Sequence, residues 1–377
     1  MEKVRIGIFG LSRGRNYFDP IRLQSNAELV AVCDKQESTV EGALSEISEK
    51  GMPAVEVFNN FEDFIKYDMD AVVLCNYADD HARFAIAAME AGKHVMCEVL
   101  PAKSPAEAVE LIEAVERTGM VYFYAENYCY MKPPFEMWRR YKSGEIGEIR
   151  YAEGEYVHPS FPRERLALSN NGDSNHWRRR MHPNFYCTHS VGPMLAITGL
   201  RPKSVVGFQT NDDLVGSKAA LEMVTLENGA ILRSLHGSLR NYSIKYRVFG
   251  QLGSIEQDSD DEVVVYHSSP LKDGIDGATY KLKIPIESDS GEQIETHHGS
   301  DYYPTHFFVE KIRGNNLYDE WLIDVYLGVD MMLCGYMARR SVLSGGVSVE
   351  IPDFRDKSQR DKYRNDYEDY LKKVEEP

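Results

Sequence analysis

At 377 residues the chain is long for one hydrophobic core and points to two domains, and its 43% hydrophobic and 27% charged residues are those of a soluble globular protein. A formal net charge of −16 excludes a general binder of nucleic acid or of anionic membrane, since both partners need a positive surface. The opening MEKVRIGIFG is apolar for only about six residues, too short for a signal sequence, and no run approaches the roughly 18 apolar residues of a membrane span, so the cytoplasm is the expected compartment.

In chain order, short β-rich runs alternate with helical patterns over the first 125 residues. The predicted strands are Val4–Phe9, Leu29–Asp34, Ala71–Cys75, His94–Glu98 and Val121–Glu126. Helices are predicted at His81–Ala91 and Pro105–Thr118, where Ala108, Leu111, Ile112 and Val115 recur at helical spacing. Asp80 and Ser104 stand at their N-cap positions, with Pro105 opening the second. Such alternation implies parallel strands in a doubly wound α/β sheet, a Rossmann domain over 1–125.

From residue 126 the pattern changes to an α+β domain, 126–377. A helix carrying Trp138 and Tyr141 ends at Ser143-Gly144. Longer strands follow at Glu148–His158, Val205–Thr210, Ala219–Leu226, Ala230–Gly237 and Val263–His267, with Asn228-Gly229 as a hairpin turn. They imply a large, mostly antiparallel sheet. An amphipathic helix is predicted from Glu320 to about Leu343, and a charged surface helix from Ser358. Six cysteines, at 33, 75, 97, 129, 187 and 334, form no C-x-x-C pair; Cys33, Cys75 and Cys97 end apolar runs and read as buried small hydrophobes.

The stretch Gly7–Asn16, GIFGLSRGRN, leaves the first strand for a helix, the context in which backbone N–H groups reach a pyrophosphate. Gly10, Ser12, Arg13 and Gly14 are its candidate cofactor residues, although Ser12 stands where the usual fingerprint has its second glycine. Asp34, 24 residues after Gly10, matches the acid that accepts the ribose hydroxyls and favours NAD over NADP, against nearby Arg13 and Lys35. His81 and Glu98 follow the third and fourth predicted strands, at the sheet edge where ligands bind, and join the cofactor set. Arg178-Arg179-Arg180, flanked by His176 and His182, can hold an anionic or polyhydroxy ligand or form a solvated basic loop; Arg178 represents it among substrate residues. No metal site is expected, because the adjacent His297 and His298 point apart on an extended chain.

The order of these features, with AGKHVMCE, AENYCY and SGEIGEIRYAEGEY, resembles the Gfo/Idh/MocA oxidoreductases over nearly the whole chain. Most of that family continue the fourth strand into Glu-Lys-Pro, whose lysine assists proton transfer. Here Glu98-Val99-Leu100-Pro101 lacks it, and Lys103 lies too far along to replace it. The segment from Phe185 to Pro193, FYCTHSVGP, is similar to the Y-x-T-H-x-x-G-P motif of the family's NAD-dependent α-N-acetylgalactosaminidase branch. Asp324-Val325-Tyr326 and Ile351-Pro352-Asp353-Phe354 also fit that branch.

The resemblance implies NAD as cofactor, a small carbohydrate or glycoside as substrate, and hydride transfer at a sugar hydroxyl, C3 in that branch. It implies His189 as catalytic base with Tyr186 beside it, and Asn127, Tyr156 and Tyr242 as contacts to cofactor or substrate. Net hydrolysis through transient C3 oxidation, elimination and re-reduction is the alternative, and a non-catalytic dinucleotide or sugar sensor a third. The exposed face of the antiparallel sheet makes a homodimer or homotetramer the expected assembly.

Overall fold

The structure is a computed structural model that describes residues 3–158, 177, 181–210, 218–239, 241–268, 275–281 and 299–368. The chain divides into two compact units. The first comprises Met1–Tyr130, Ile284–Tyr326 and Tyr363–Tyr367; the second comprises Met131–Lys283, Leu327–Lys362 and Glu368–Pro377. The first stretch of the first unit ends at Tyr130, and later segments return to complete that unit.

The first unit is built on six parallel strands: β1 (Val4–Phe9), β2 (Ala27–Cys33), β3 (Glu56–Phe58), β4 (Ala71–Leu74), β5 (His94–Cys97) and β6 (Tyr122–Tyr124), in the order β3-β2-β1-β4-β5-β6. That is the doubly wound Rossmann order, with its switch point between β1 and β4. The central strands are buried on both faces, which is why they read as continuous apolar runs. Helix Pro105–Thr118 lies where its spacing places it, and the Ser104 hydroxyl caps it by accepting from Glu107 N at 3.3 Å. Asp80 makes no such bond before helix His81–Glu90; its carboxylate pairs with Arg83 at 3.2 Å. The edge strand β6 is covered by a returning segment, Tyr124 N donating to Ile323 O at 2.9 Å.

The second unit carries a sheet of nine strands among the described residues: β7 (Ile149–Val157), β8 (Pro202–Gln209), β9 (Ala219–Leu226), β10 (Ile231–Gly237), β11 (Ser243–Gly250), β12 (Gly253–Ser259), β13 (Glu262–Ser268), β14 (Ile275–Lys281) and β15 (Val349–Glu350). Their order is β14-β13-β12-β11-β7-β10-β9-β8-β15, antiparallel except for β7 against β10. Asn228-Gly229 makes the β9–β10 hairpin, with Gly229 at φ 85 and Asn228 Oδ1 accepting from Ala230 N at 2.9 Å.

Helix Val325–Leu343 departs from its expected amphipathic form. Met331, Met332, Leu333 and Cys334 are all buried in succession, so every face meets other residues. Contrary to the sequence reading, the run Asn316–Leu343 is long and apolar enough to cross a membrane. Here 72% of its apolar window is buried, as in a core helix. All six cysteines are free and buried.

Candidate active site

In the first unit, β1 ends at a turn that only glycine fits. Gly10 sits at φ 92, and a Cβ there would lie 2.5 Å from Asn76 N and the Cys75 carbonyl carbon at the end of β4. Helix Leu11–Gly14 starts at once, with Ser12 exposed and Gly14 buried against Ile8 of β1. The Asp34 carboxylate accepts from Leu11 N at 2.8 Å and from Gln36 N at 3.0 Å, so it bridges the ends of β1 and β2. Each of its oxygens keeps a lone pair for a diol. Beside the turn, the buried Oδ1 of Asn76 has no hydrogen-bond partner among the described residues. A glycine turn, an exposed hydroxyl, an ionisable diol acceptor and an orphaned acceptor at the switch point fit a dinucleotide.

Arg13, Glu98, His81 and Asn127, expected at the cofactor, each bond or approach other groups of this unit. The Arg13 guanidinium bonds Glu98 Oε1 through Nε at 2.8 Å and Asp301 Oδ1 through Nη2 at 2.7 Å. Tyr17 Oη donates to the same Glu98 oxygen at 2.6 Å, and Asn127 Nδ2 lies 3.5 Å from Asp301 Oδ1. Burial works against the charged guanidinium, but Glu98 and Asp301 hold its pKa well above the usual range. Burial, with Glu98 alongside, pushes the Tyr17 phenol up. His81 is 1% exposed, with Nδ1 2.8 Å from Leu100 O and Nε2 3.1 Å from Asn76 O. It clips the loop after β4 to the loop after β5, and burial holds its pKa below the ordinary value. Lys35 rests 5.3 Å over the Tyr77 ring. Arg13 and Lys35 thus both have partners within the protein.

Sequence reasoning missed Tyr17 and Asp301. Their link to Arg13 and Glu98 spans distant segments, and no local signal could have found it.

In the second unit, His189 and Tyr186 come together as their spacing requires. The 3-10 turn Pro183–Tyr186 runs into helix Thr188–Thr198, and His189 Nε2 lies 3.1 Å from Tyr186 Oη. The helix can approach β7 this closely because residue 154 is glycine: a Cβ on Gly154 would sit 1.9 Å from Ser190 O. Across that contact the Tyr156 ring meets His189 at 4.7 Å, edge to face. The Tyr186 ring is 4.9 Å from His189 and 6.0 Å from Trp177. Tyr246 Oη donates to the His189 carbonyl at 2.6 Å. His158 stands 5.9 Å from Tyr156 and 5.6 Å from Tyr242, which is 57% exposed.

Tyr156, Tyr186, His189 and Tyr242 therefore belong to one aromatic cluster, which the sequence assembled only through resemblance. His158, two residues beyond Tyr156 and so on the same strand face, was legible from the alternation alone. Arg178 lies outside the described residues, as do His176, His297 and His298.

Comparison with known proteins adds to this geometry. Residues 4–126 match the family model described as oxidoreductase family, NAD-binding Rossmann fold, Gfo/Idh/MocA. A glycosyl hydrolase family 109 protein of Porphyromonas gingivalis is 26% identical over 411 residues, spanning 94% of this chain and 85% of that protein. Glycosyl hydrolase family 109 protein 1 of Bacteroides thetaiotaomicron is 26% identical over the same shares. Among solved structures, an NAD binding oxidoreductase from Klebsiella pneumoniae superposes with a TM-score of 0.73 at 17% identity, over 93% of this chain and 99% of that one. Levoglucosan dehydrogenase, solved with NADH and levoglucosan, gives 0.72 at 18% identity, over 93% of this chain and 100% of that one. Residues 4–126 thus match the NAD-binding Rossmann fold of the Gfo/Idh/MocA oxidoreductases.

Proposed function

We propose that this chain is an NAD-dependent enzyme that moves hydride to or from a hydroxyl of a sugar or glycoside, with Tyr186 and His189 as its acid–base pair. The observation that carries the reading is the 3.1 Å contact between His189 Nε2 and Tyr186 Oη among the rings of Tyr156 and Trp177. Bound NAD supplies the hydride acceptor and donor.

The protein's residues do the rest. Asp34 would accept from the adenosine ribose, and Ser12 with the first-turn N–H groups would meet the pyrophosphate. The aromatic faces of Tyr156 and Trp177 suit the C–H surface of a pyranose. An imidazole is a side chain suited to general acid–base catalysis. His189 takes the substrate's hydroxyl proton, directly or through the Tyr186 phenol, and gives it back in the reverse direction.

Redox-neutral cleavage of a glycoside is the second reading, and two observations favour it. Glu98 is followed by Val99 rather than lysine and is itself bonded to Arg13 and Tyr17, so β5 presents no proton-transfer group. Relatives named for glycosyl hydrolase family 109 align along 94% of this chain. In that outcome a C3 ketone acidifies the C2 proton, His189 removes it, the C1 substituent leaves, and water adds before the ketone is reduced again.

One screen separates the two: the purified protein is offered NAD with a panel of free sugars and aryl glycosides, while NADH absorbance and aglycone release are read together. Accumulating NADH with a free sugar marks the dehydrogenase; aglycone without net NADH marks the hydrolytic route. His189→Ala is expected to lose about 10²–10⁴-fold in rate on whichever substrate responds. A variant at the parent rate removes His189 as the base.

A further inference from the structure

Beneath the Tyr186–His189 pair, the inward face of the β9–β10 hairpin breaks its own pattern. Ala220, Val224, Leu226 and Leu232 are buried apolar residues, as the alternation demands, but Glu222, Ser234 and His236 share that face and are 0%, 0% and 2% exposed. Glu222 and Ser234 are direct cross-strand partners. A charged residue placed inward on a strand is costly unless hydrogen bonds and an opposite charge compensate it.

Here the compensation reaches the segment that carries the acid–base pair. Glu222 Oε1 accepts from Asn184 Nδ2 at 3.1 Å, and Oε2 accepts from Ser234 Oγ at 2.8 Å. Ser234 Oγ is 2.8 Å from Ser190 Oγ, next to His189 in the chain. His236 Nδ1 lies 3.2 Å from Glu222 Oε2, while its Nε2 is 2.6 Å from Pro183 O. A carbonyl can only accept, so Nε2 carries a proton. Burial disfavours a charged imidazole, yet Glu222 outweighs it and the His236 pKa is raised.

We propose that Glu222 and His236 are positioning residues for Tyr186 and His189. One buried carboxylate and one buried imidazole hold the Pro183–Tyr186 turn at Pro183 O and Asn184, and hold the start of helix Thr188–Thr198 through Ser234 and Ser190. The turn sets Tyr186 and the helix sets His189, so their 3.1 Å contact depends on both anchors. The proposal rests on the reading of that pair as the acid–base machinery, but its geometric content is independent of activity.

The test compares His236→Asn, which removes the Nε2 donor to Pro183, with His236→Gln, whose amide nitrogen reaches the same carbonyl. The first readout is the His189 imidazole resonances in NMR, identified by their loss in His189→Ala. Tyr186→Phe moves them by deleting the hydroxyl contact. His236→Asn is expected to move them in the same sense, and His236→Gln to leave them near the parent positions. The second readout, on the substrate found in the screen, is a fall in kcat of about 10–100-fold for His236→Asn with KM unchanged, the scale of a small misplacement of reacting groups. Resonances at the parent positions in His236→Asn, or a rise in KM at unchanged kcat, overturn the proposal. If His236→Asn does not fold, Ser234→Ala removes one hydroxyl from the same network and carries both readouts. Should His189→Ala retain activity, the acid–base reading fails while the resonance comparison still decides the positioning.

Discussion

Arg13 shows how far a side chain's role can depend on residues remote in the chain. Beside Gly10 and Ser12 it reads as a phosphate ligand, but its guanidinium lies between Glu98 and Asp301, the latter 288 positions away. Removing it leaves two carboxylates, 6% and 0% exposed, without their cation. Arg13→Ala is therefore expected to destabilise the protein by about 3–5 kcal/mol in chemical denaturation without any nucleotide. An unchanged midpoint with weakened NAD binding would return Arg13 to the phosphates. Asp34 is the opposite case, because the whole argument for it lies in local order: a strand end, then a fixed interval from Gly10. Its two backbone bonds at 2.8 and 3.0 Å hold the carboxylate at the β1–β2 edge, as that interval implies. Losing a charged acceptor for a ribose hydroxyl should cost about 10–100-fold in NAD affinity for Asp34→Ala by titration calorimetry. Unaltered affinity would place the ribose elsewhere. The placement of Asp34, set by nearby backbone, was legible; the partners of Arg13, one of them a distant charge, were not.

Elements follow the same division. Pro105–Thr118, Val4–Phe9 and Ala219–Leu226 stand where the sequence reading put them, because each has a strong period or clear boundaries. The three residues of β3 and two of β15 carry too little pattern of their own. β11 and β12, with Lys245, Arg247, Glu256 and Asp258 along them, are strands because β7 and β13 pair with them. The inward Glu222 of β9 was visible as a break in alternation but was not used. In helix Val325–Leu343 the charged Asp330 is likewise buried. Burial pushes its carboxyl from an ordinary 3.8 up to about 7, against the pull of Arg355 at 2.8 Å. A carboxyl that holds its proton more tightly in the folded state leaves stability intact below the unfolded value. It removes stability as pH rises from about 4 to about 7, by at most about 4 kcal/mol. Asp330→Asn lacks this titration, so the stability of the parent relative to the variant should fall as pH is raised across that window. Urea denaturation of both proteins at pH 4.5, 6 and 8 measures it, and a difference that is flat with pH removes Asp330 as the source.

At the scale of the whole chain, the Rossmann pattern was legible as five strands' worth of alternation, but the unit it forms is not a contiguous stretch. Residues 4–126 contain every strand of the parallel sheet and the whole family match. Yet Ile284–Tyr326 returns to the same unit, and its helix Tyr302–Ile312 buries Tyr302, Tyr303, Phe307, Phe308 and Val309. Phe308 lies tilted 6.3 Å from Phe123 of β6, and Phe307 lies 6.0 Å from Tyr130, whose hydroxyl donates to Trp321 O at 2.6 Å. The same return supplies Asp301 to Arg13 and Ile323 O to the edge of β6. A fragment of residues 1–130 would expose this aromatic surface, leave Arg13 without Asp301 and open a strand edge, three independent losses in one small domain. We expect such a fragment to lack a cooperative thermal transition and measurable NAD binding, while the full chain shows both and melts higher with NAD, by mass action on the native state. Circular dichroism melts and calorimetric titration of the two proteins decide the matter. A fragment that melts cooperatively and binds NAD as tightly as the full chain would show that the sheet with its own helices is sufficient, and that the returning segment only decorates it.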